Sequence, residues 1–440
     1  NGPISIATDC IYGYIGGIVG AAACTTFKNN TNGANGDITV AGSFNMNVGI
    51  CGMGASVGCA TTDCSNAGDI TVSATEPEGD TYTKDDGKTA KATGAIYVNG
   101  LAWTSSYNHT NFTNSGNITF TGDTYTNVFI SGAVYTPASG KTIKNVHNTG
   151  DIVADVKDLH CPLKMGGICR SSSTGTYESC SNSGDIVFKG TSTSSVYIGG
   201  LCGDVTGGTY TGTGFVNKGA IKFLGYSKTT GYAGGIAGAA TVAITSATAM
   251  KNEGTVTNYD ATAALTGSAT TVRWGGCFGS VSTKPQSVEM VNTGDIYVRY
   301  SEKMGADVTV GGIAGGSSQL ISNAKADCSI AAIGFVESAA SPIVGVGMAV
   351  GSHRGTSAIV SKCKIGGKYA LTEKNGEPDW LVITPRVYGT TDASDEFVPA
   401  DGFIPFWKKI YGGTWADASE NNCEGCSYES ANVPVEPTAL

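Results

Sequence analysis

The chain has 440 residues, a net charge of −9 and only five, scattered arginines, so it offers no cationic patch for neutralising nucleic-acid phosphates. Its 64 glycines accompany 40% hydrophobic residues that recur in register, which separates it from disordered glycine-rich linkers. No apolar run reaches the roughly 18 residues of a membrane-spanning helix, and none is expected.

Read from the amino terminus, an apolar anchor returns at Ile4, Ile38, Ile70, Ile118, Ile152, Ile186, Ile221, Val256, Ile296, Ile330 and Ile365. The intervals are 34, 32, 48, 34, 34, 35, 35, 40, 34 and 35 residues. Most anchors end the phrase Asn-x-Gly-Asp-Ile, complete at Asn66, Asn148, Asn182 and Asn292 and loosened at Asn114, Asn217 and Asn252. A second phrase of the form Gly-Gly-Ile-x-Gly keeps the same beat at Gly16, Gly199, Gly234, Gly275 and Gly311, with less complete copies around Ile50, Ile96, Val134, Ile168 and Met348. Two markers locked to one period predict stacked repeats. The chain begins inside a repeat, because Gly2, Pro3 and Ile4 stand one period before Gly36, Asp37 and Ile38. A signal sequence and further residues are therefore expected before Asn1 in the native precursor.

Composition decides which repeat this is. Gly, Thr, Val, Ile and Asn are poor helix formers, so a helix pair is excluded, and about ten units without a fixed hairpin dipeptide do not suit a propeller. Three strand-like runs per repeat, for example 196–202, 214–216 with its flanks and 220–226, carry alternating apolar residues. The expected fold is all-β: a right-handed parallel β-helix of about ten coils over residues 1–365, roughly 48 Å long, with a C-terminal capping segment and tail over 366–440.

Stacking gives each phrase residue a job. Asn66, Asn114, Asn148, Asn182, Asn217, Asn252 and Asn292 are expected to form a structural ladder of amide hydrogen bonds. The glycine two residues later is expected to take a positive φ, and the aspartates at 37, 69, 151, 185 and 295 to cap the amides of the turn, with a calcium ladder as the alternative. Cys64 and Cys180 fall in the slot of Phe112, Val146, Phe215, Met250 and Met290, and Cys51, Cys169 and Cys202 in that of Val19, Ala237 and Ala314. They read as core thiols, with bridges between adjacent coils left open. Cys423 and Cys426 lie outside the repeats and read as a local bridge or two free thiols. No cofactor or metal is expected.

The 48-residue interval places an insertion at 73–92, rich in Glu, Asp and Lys, which reads as a solvated loop. Near it in the stack, Trp103, Tyr107 and Tyr125, with His109, are candidates for lining a glycan or peptide groove. The densest acid–base cluster is Asp155, Lys157, Asp158, His160 and Lys164. Asp155, Asp158 and His160 are the catalytic candidates should the scaffold be an enzyme. Toward the end, Trp380, Phe397, Phe403, Phe406, Trp407, Tyr411 and Trp415 read as a plug on the last coil, or as a sugar-stacking platform.

The alternation of Asn-x-Gly-[Asp/Asn]-[Ile/Val] with Gly-Gly-Ile-x-Gly from residue 1 to about 367 resembles the GLUG-type repeats of β-helical surface proteins of Bacteroidetes. The closing Ile410-Tyr411-Gly412-Gly413-Thr414-Trp415 and Glu424-Gly425-Cys426-Ser427-Tyr428 are similar to the end motif of such chains. The resemblance implies a lipoprotein or adhesin-like protein on the extracellular face of the outer membrane, or secreted, and no particular activity. The expected function is non-catalytic binding of a glycan, peptide or surface protein, alone or as an accessory component of an outer-membrane nutrient-uptake transporter complex. The alternatives are a polysaccharide lyase or glycoside hydrolase on the same scaffold, and a fibre or surface-layer subunit.

Overall fold

Strand alternation sets which side chains point inward. In Ile152–Leu159, Ile152, Ala154 and Val156 are buried, while Asp155 and Lys157 on the alternate positions are exposed. Repeated coil by coil, this pattern winds the chain into an all-β parallel solenoid in the computed structural model. The structure describes residues 2–8, 12–44, 46–75, 81–83, 89–91, 94–103, 106–172, 175–246, 249–258, 271–283, 286, 289–300, 307–333, 343–353, 360–361, 363–370, 373–378, 381–382, 408–411, 414–415, 423–424 and 427–428.

A full coil holds four short strands where three were expected, as in Thr176–Asn182, Ile186–Ser192, Val196–Gly199 and Cys202–Val205. The run 196–202 breaks because Gly199 and Gly200 bend it. A Cβ on Gly199 would stand 2.4 Å from the Cys202 carbonyl oxygen, and one on Gly200 2.3 Å from that of Gly235. The first two strands of each coil join a 24-stranded asparagine sheet, the third a 12-stranded central sheet and the fourth, in the later coils, a 6-stranded short sheet. Parallel pairing aligns Ile4, Ile38, Ile70, Ile118, Ile152, Ile186, Ile221, Val256, Ile296 and Ile330 in one file. The last expected anchor is displaced: Ile330 pairs with Tyr369, and Ile365 pairs with Ala326, in the file of the asparagines. Residues 326–330 read Ala-Asp-Cys-Ser-Ile, so both phrase markers are gone where the register had to be read.

The asparagine ladder is present and one residue longer than expected. Nδ2 of Asn32 donates to Oδ1 of Asn66 at 2.8 Å, and the relay continues through Asn114, Asn148, Asn182, Asn217, Asn252 and Asn292 at 2.7–2.8 Å. All eight side chains are fully buried. The second amide proton stays within the coil, as from Asn148 to the Gly150 carbonyl at 2.8 Å, so both donors are satisfied. Asn32 escaped notice because its carbonyl partner, Gly36, lies four residues on rather than two.

The phrase glycines are not in the left-handed region; among the described glycines with positive φ, none is Gly68, Gly116, Gly150, Gly184, Gly219, Gly254 or Gly294. Close stacking requires them instead. A Cβ on Gly150 would lie 2.1 Å from the Gly116 carbonyl oxygen. The second glycine of the other phrase packs on the ladder, since a Cβ on Gly132 would lie 2.5 Å from Cγ of Asn148. The two phrases therefore touch inside every such coil, which is why they share one beat. The aspartates also differ in detail: Oδ1 of Asp151 accepts from the amide of Asp185, 2.8 Å away in the next coil rather than in its own turn. Asp37, Asp69 and Asp185 do the same, and Asn117 substitutes for an aspartate.

Cys64 and Cys180 pair beside Phe112 and Phe215, and Cys169, Cys202 and Ala237 share a file. Cys51 is misassigned by sequence: it pairs with Gly16 and Asn99, at the first glycine of the second phrase. Burial pushes the Cys51 and Cys180 thiols up to about 12, so they are core fillers rather than nucleophiles. Cys24 and Cys59, 35 residues apart, bridge adjacent coils. Of the insertion, the structure describes a small antiparallel hairpin, Thr81–Thr83 with Thr89–Lys91; most of its charged residues lie outside the described residues.

At the far end, Lys408–Tyr411 lies antiparallel on Ile343–Gly347, Cys423–Glu424 pairs with Val360–Ser361, and Ser427–Tyr428 pairs with Lys364–Ala370. The final strand edges of three sheets are thus covered. Of the terminal aromatics, only the backbones of Tyr411 and Trp415 are described; Trp380, Phe397, Phe403, Phe406 and Trp407 lie outside, as does Cys426.

Candidate functional site

The Gly-Gly bend folds the outer faces of the central and short strands toward each other. A Cβ on Gly203 would stand 2.8 Å from Cβ of Lys164 and 3.0 Å from the Tyr197 carbonyl oxygen, so little separates the two faces. Outward side chains from the two strands consequently meet in pairs along the solenoid. Tyr97 meets Tyr135 with centroids 4.7 Å apart, and the Arg170 guanidinium lies 4.4 Å over Phe129. Lys164 Nζ meets Asp204 Oδ2 at 2.8 Å, and Arg273 Nη1 donates to Ser280 Oγ at 2.8 Å. These pairs line a groove running along one side of the molecule.

Its floor is set by the fifth position of the second phrase. Pairing puts Ala102, Val134, Cys169, Cys202 and Ala237 in file, so Trp103, Tyr135, Arg170, Gly203 and Gly238 follow at equivalent places. Where that place holds a large side chain, rings fill the groove. Trp103 stacks on Tyr97 at 4.6 Å and 17° and packs against Tyr14 at 5.2 Å, with Tyr12 beyond it. Tyr97 and Phe129 form a hydrophobic cluster separate from the interior core. Burial, and then the neighbouring Tyr135, push the Tyr97 phenol up to about 12.

Along the run where the place holds Gly203, Gly238 and Gly279, the groove stays open. A cleft of about 470 Å³ lies over this stretch, lined by Tyr197, Tyr232, Arg273, Asp204, Ala239 and Ser280 among others. Tyr197 and Tyr232 stack at 5.4 Å and 28°, and the Arg273 guanidinium sits 5.4 Å over Tyr232. Burial raises the Tyr197 phenol, which keeps it neutral and able to donate.

The residues singled out by sequence are distributed differently. Trp103 belongs to the groove. Tyr107 is 37% exposed on the connection into His109–Asn114, and Tyr125 stacks on His160 at 4.2 Å, so neither is among the rings packed on Trp103. His109 is buried, with Nδ1 2.8 Å from Thr61 Oγ1, and faces away from solvent. The acid–base cluster also divides. His160 Nε2 is 3.6 Å from Asp158 Oδ2 at a corner, Asp155 is exposed on the asparagine sheet in register with Thr121 and Lys189, and Lys164 lies in the groove against Asp204. Asp204, Tyr197, Tyr232 and Arg273 were missed, although the change from Trp103, Tyr135 and Arg170 to Gly203, Gly238 and Gly279 at one phrase position was a readable signal.

No family model, curated protein or solved structure matches the chain. Among the described residues no three His, Cys, Asp or Glu side chains converge to hold a metal ion, and no helix is long and apolar enough to cross a membrane.

Proposed function

We propose that the protein is a non-catalytic, adhesin-like binding protein displayed at or released from the cell surface, and that the lateral groove receives an extended glycan. The observation that carries this is the open cleft in which two stacked tyrosines adjoin a lysine–aspartate pair and an arginine–serine pair. The two rings are sandwiched between Lys164 and Arg273, so their edges give a sugar its apolar contact, while fixed charged and hydroxyl groups read its periphery. A stacked-coil scaffold suits the task because equivalent positions recur at each rise of about 4.8 Å, so a linear chain meets a periodic surface. The phrase resemblance to β-helical surface proteins agrees with display outside the cell, alone or beside an outer-membrane transporter.

Calorimetric titration with a panel of linear oligosaccharides tests the reading. Binding that falls by at least about tenfold when Tyr197 and Tyr232 are both replaced by Ala supports it. Binding untouched by those changes places the function elsewhere. An enzyme is the second reading, favoured by the Asp158–His160 contact beneath Tyr125. Saccharide release that disappears in Asp158→Asn would establish it in place of the first.

A further inference from the structure

Asp204 is the least ordinary residue of the groove. Its side chain is 10% exposed, and Oδ2 is held by Lys164 Nζ at 2.8 Å. Its other oxygen, Oδ1, is buried without a hydrogen-bond partner among the described residues, although Asp204 lines the cleft. A buried acceptor left unmet costs about 1–3 kcal/mol, so a ligand able to donate to it recovers that penalty on binding.

We infer that the cleft selects a neutral, hydroxyl-bearing saccharide, with Asp204 as the specificity-determining acceptor and Lys164 as the positioning residue that fixes the carboxylate and cancels its charge. This rests on the glycan reading above and adds the class of glycan. The charge balance decides it. Lys164 already supplies the positive charge that Asp204 attracts, so a cationic ligand meets a neutral pair with an ammonium beside it. A carboxylate ligand would place an acceptor against Oδ1, also an acceptor. A neutral hydroxyl donates one hydrogen bond and adds no charge, and the serines of the cleft, Ser280, Ser282, Ser317 and Ser318, both donate and accept as a polyol does. The edges of the stacked tyrosine pair supply the apolar contact for a pyranose ring. Arg273, over Tyr232, is the group that would instead favour an acid.

The test titrates whole protein with cellohexaose and mannohexaose as neutral probes, a galacturonic acid hexamer as the acidic probe, a glucosamine hexamer as the cationic probe and a polyalanine peptide. The wild type should prefer a neutral saccharide by about tenfold or more. Lys164→Gln, which leaves Asp204 as an uncompensated carboxylate, should move the preference to the glucosamine hexamer, and Lys164→Arg should keep the wild-type order. Should Lys164→Gln fold poorly, Asp204→Asn gives the same readout through loss of neutral-sugar affinity. Tightest binding of the acidic hexamer overturns the inference in favour of Arg273. Tyr232-dependent binding whose order is unchanged in both variants removes Asp204 from its role and leaves the glycan reading standing. Binding of the peptide alone, or of no probe, overturns both.

Discussion

In the coils that carry Tyr97, Phe129 and Lys164, the position after the Gly-Gly bend holds Trp103, Tyr135 and Arg170 in turn, and rings with a cation close the groove. In the coils that carry Tyr197, Tyr232 and Arg273, the same position holds Gly203, Gly238 or Gly279, and the groove opens into a cleft of about 470 Å³. Beneath both runs the same asparagine ladder, with links of 2.8 Å. One repeated backbone thus presents a packed outer surface along one stretch and a receptive one along the next, and the switch is a single position of a five-residue phrase. A solenoid permits this because each coil contacts mainly its neighbours, so a local change of side chain does not propagate into the frame.

The strongest way to break the contrast is to give the open stretch a ring. Ala239→Trp, at a cleft-lining position, should abolish saccharide binding, a loss of more than about a hundredfold by calorimetry, because the indole takes the ligand's place. Unchanged affinity would mean that the cleft is not the site. Next in size is the shared frame. Asn148→Ala and Asn252→Ala should each lower the unfolding free energy of the surrounding coils by about 4 kcal/mol in hydrogen exchange, since each strands a buried amide donor and acceptor on its neighbours. Very different costs at the two sites would show that the halves differ inside as well as outside.

Acid should loosen the ring-filled stretch first. Burial lowers the His109 imidazole from 6.5 to about 4, so folding favours its neutral form. The stabilisation is complete above about pH 6.5 and is lost as pH falls through about 4, roughly 3 kcal/mol in all. Hydrogen exchange near His109–Asn114 should therefore accelerate across that window, and His109→Phe should flatten the slope. A slope that survives the substitution assigns it to other groups. The smallest effect concerns the outer rings: Trp103→Ala should cost about 2 kcal/mol in local stability and leave saccharide affinity at the cleft unchanged. Lost affinity there would join the two stretches into one binding face.

The frame was largely legible in the sequence because it is made of identities: an asparagine and a glycine must recur at each coil for one amide to reach the next and one backbone to lie against another. Reading failed where the identities changed. Ala326 and Cys328 hid the register of the last coil, and the longer spacing from Asn32 to Gly36 hid the first rung. The reason for the phrase glycine was also hidden, since a carbonyl 2.1 Å from an absent Cβ belongs to the neighbouring coil and not to local dihedral preference. The groove was less legible still. It is made by residues well separated in the chain, such as Lys164 with Asp204 and Tyr14 with Trp103, that converge only after the Gly-Gly bend turns two strand faces together. Trp103 was found because tryptophan draws notice; Tyr125 and His160, equally aromatic, proved to stack on one another at another corner.

The most direct measurement is a crystal structure of the protein with the tightest-binding neutral hexasaccharide. Sugar rings lying against the edges of Tyr197 and Tyr232, with a hydroxyl about 2.7 Å from Asp204 Oδ1, are the expected result. A saccharide ordered instead beside Trp103 and Tyr14, or against Tyr125 and His160 with the cleft occupied only by water, would contradict it.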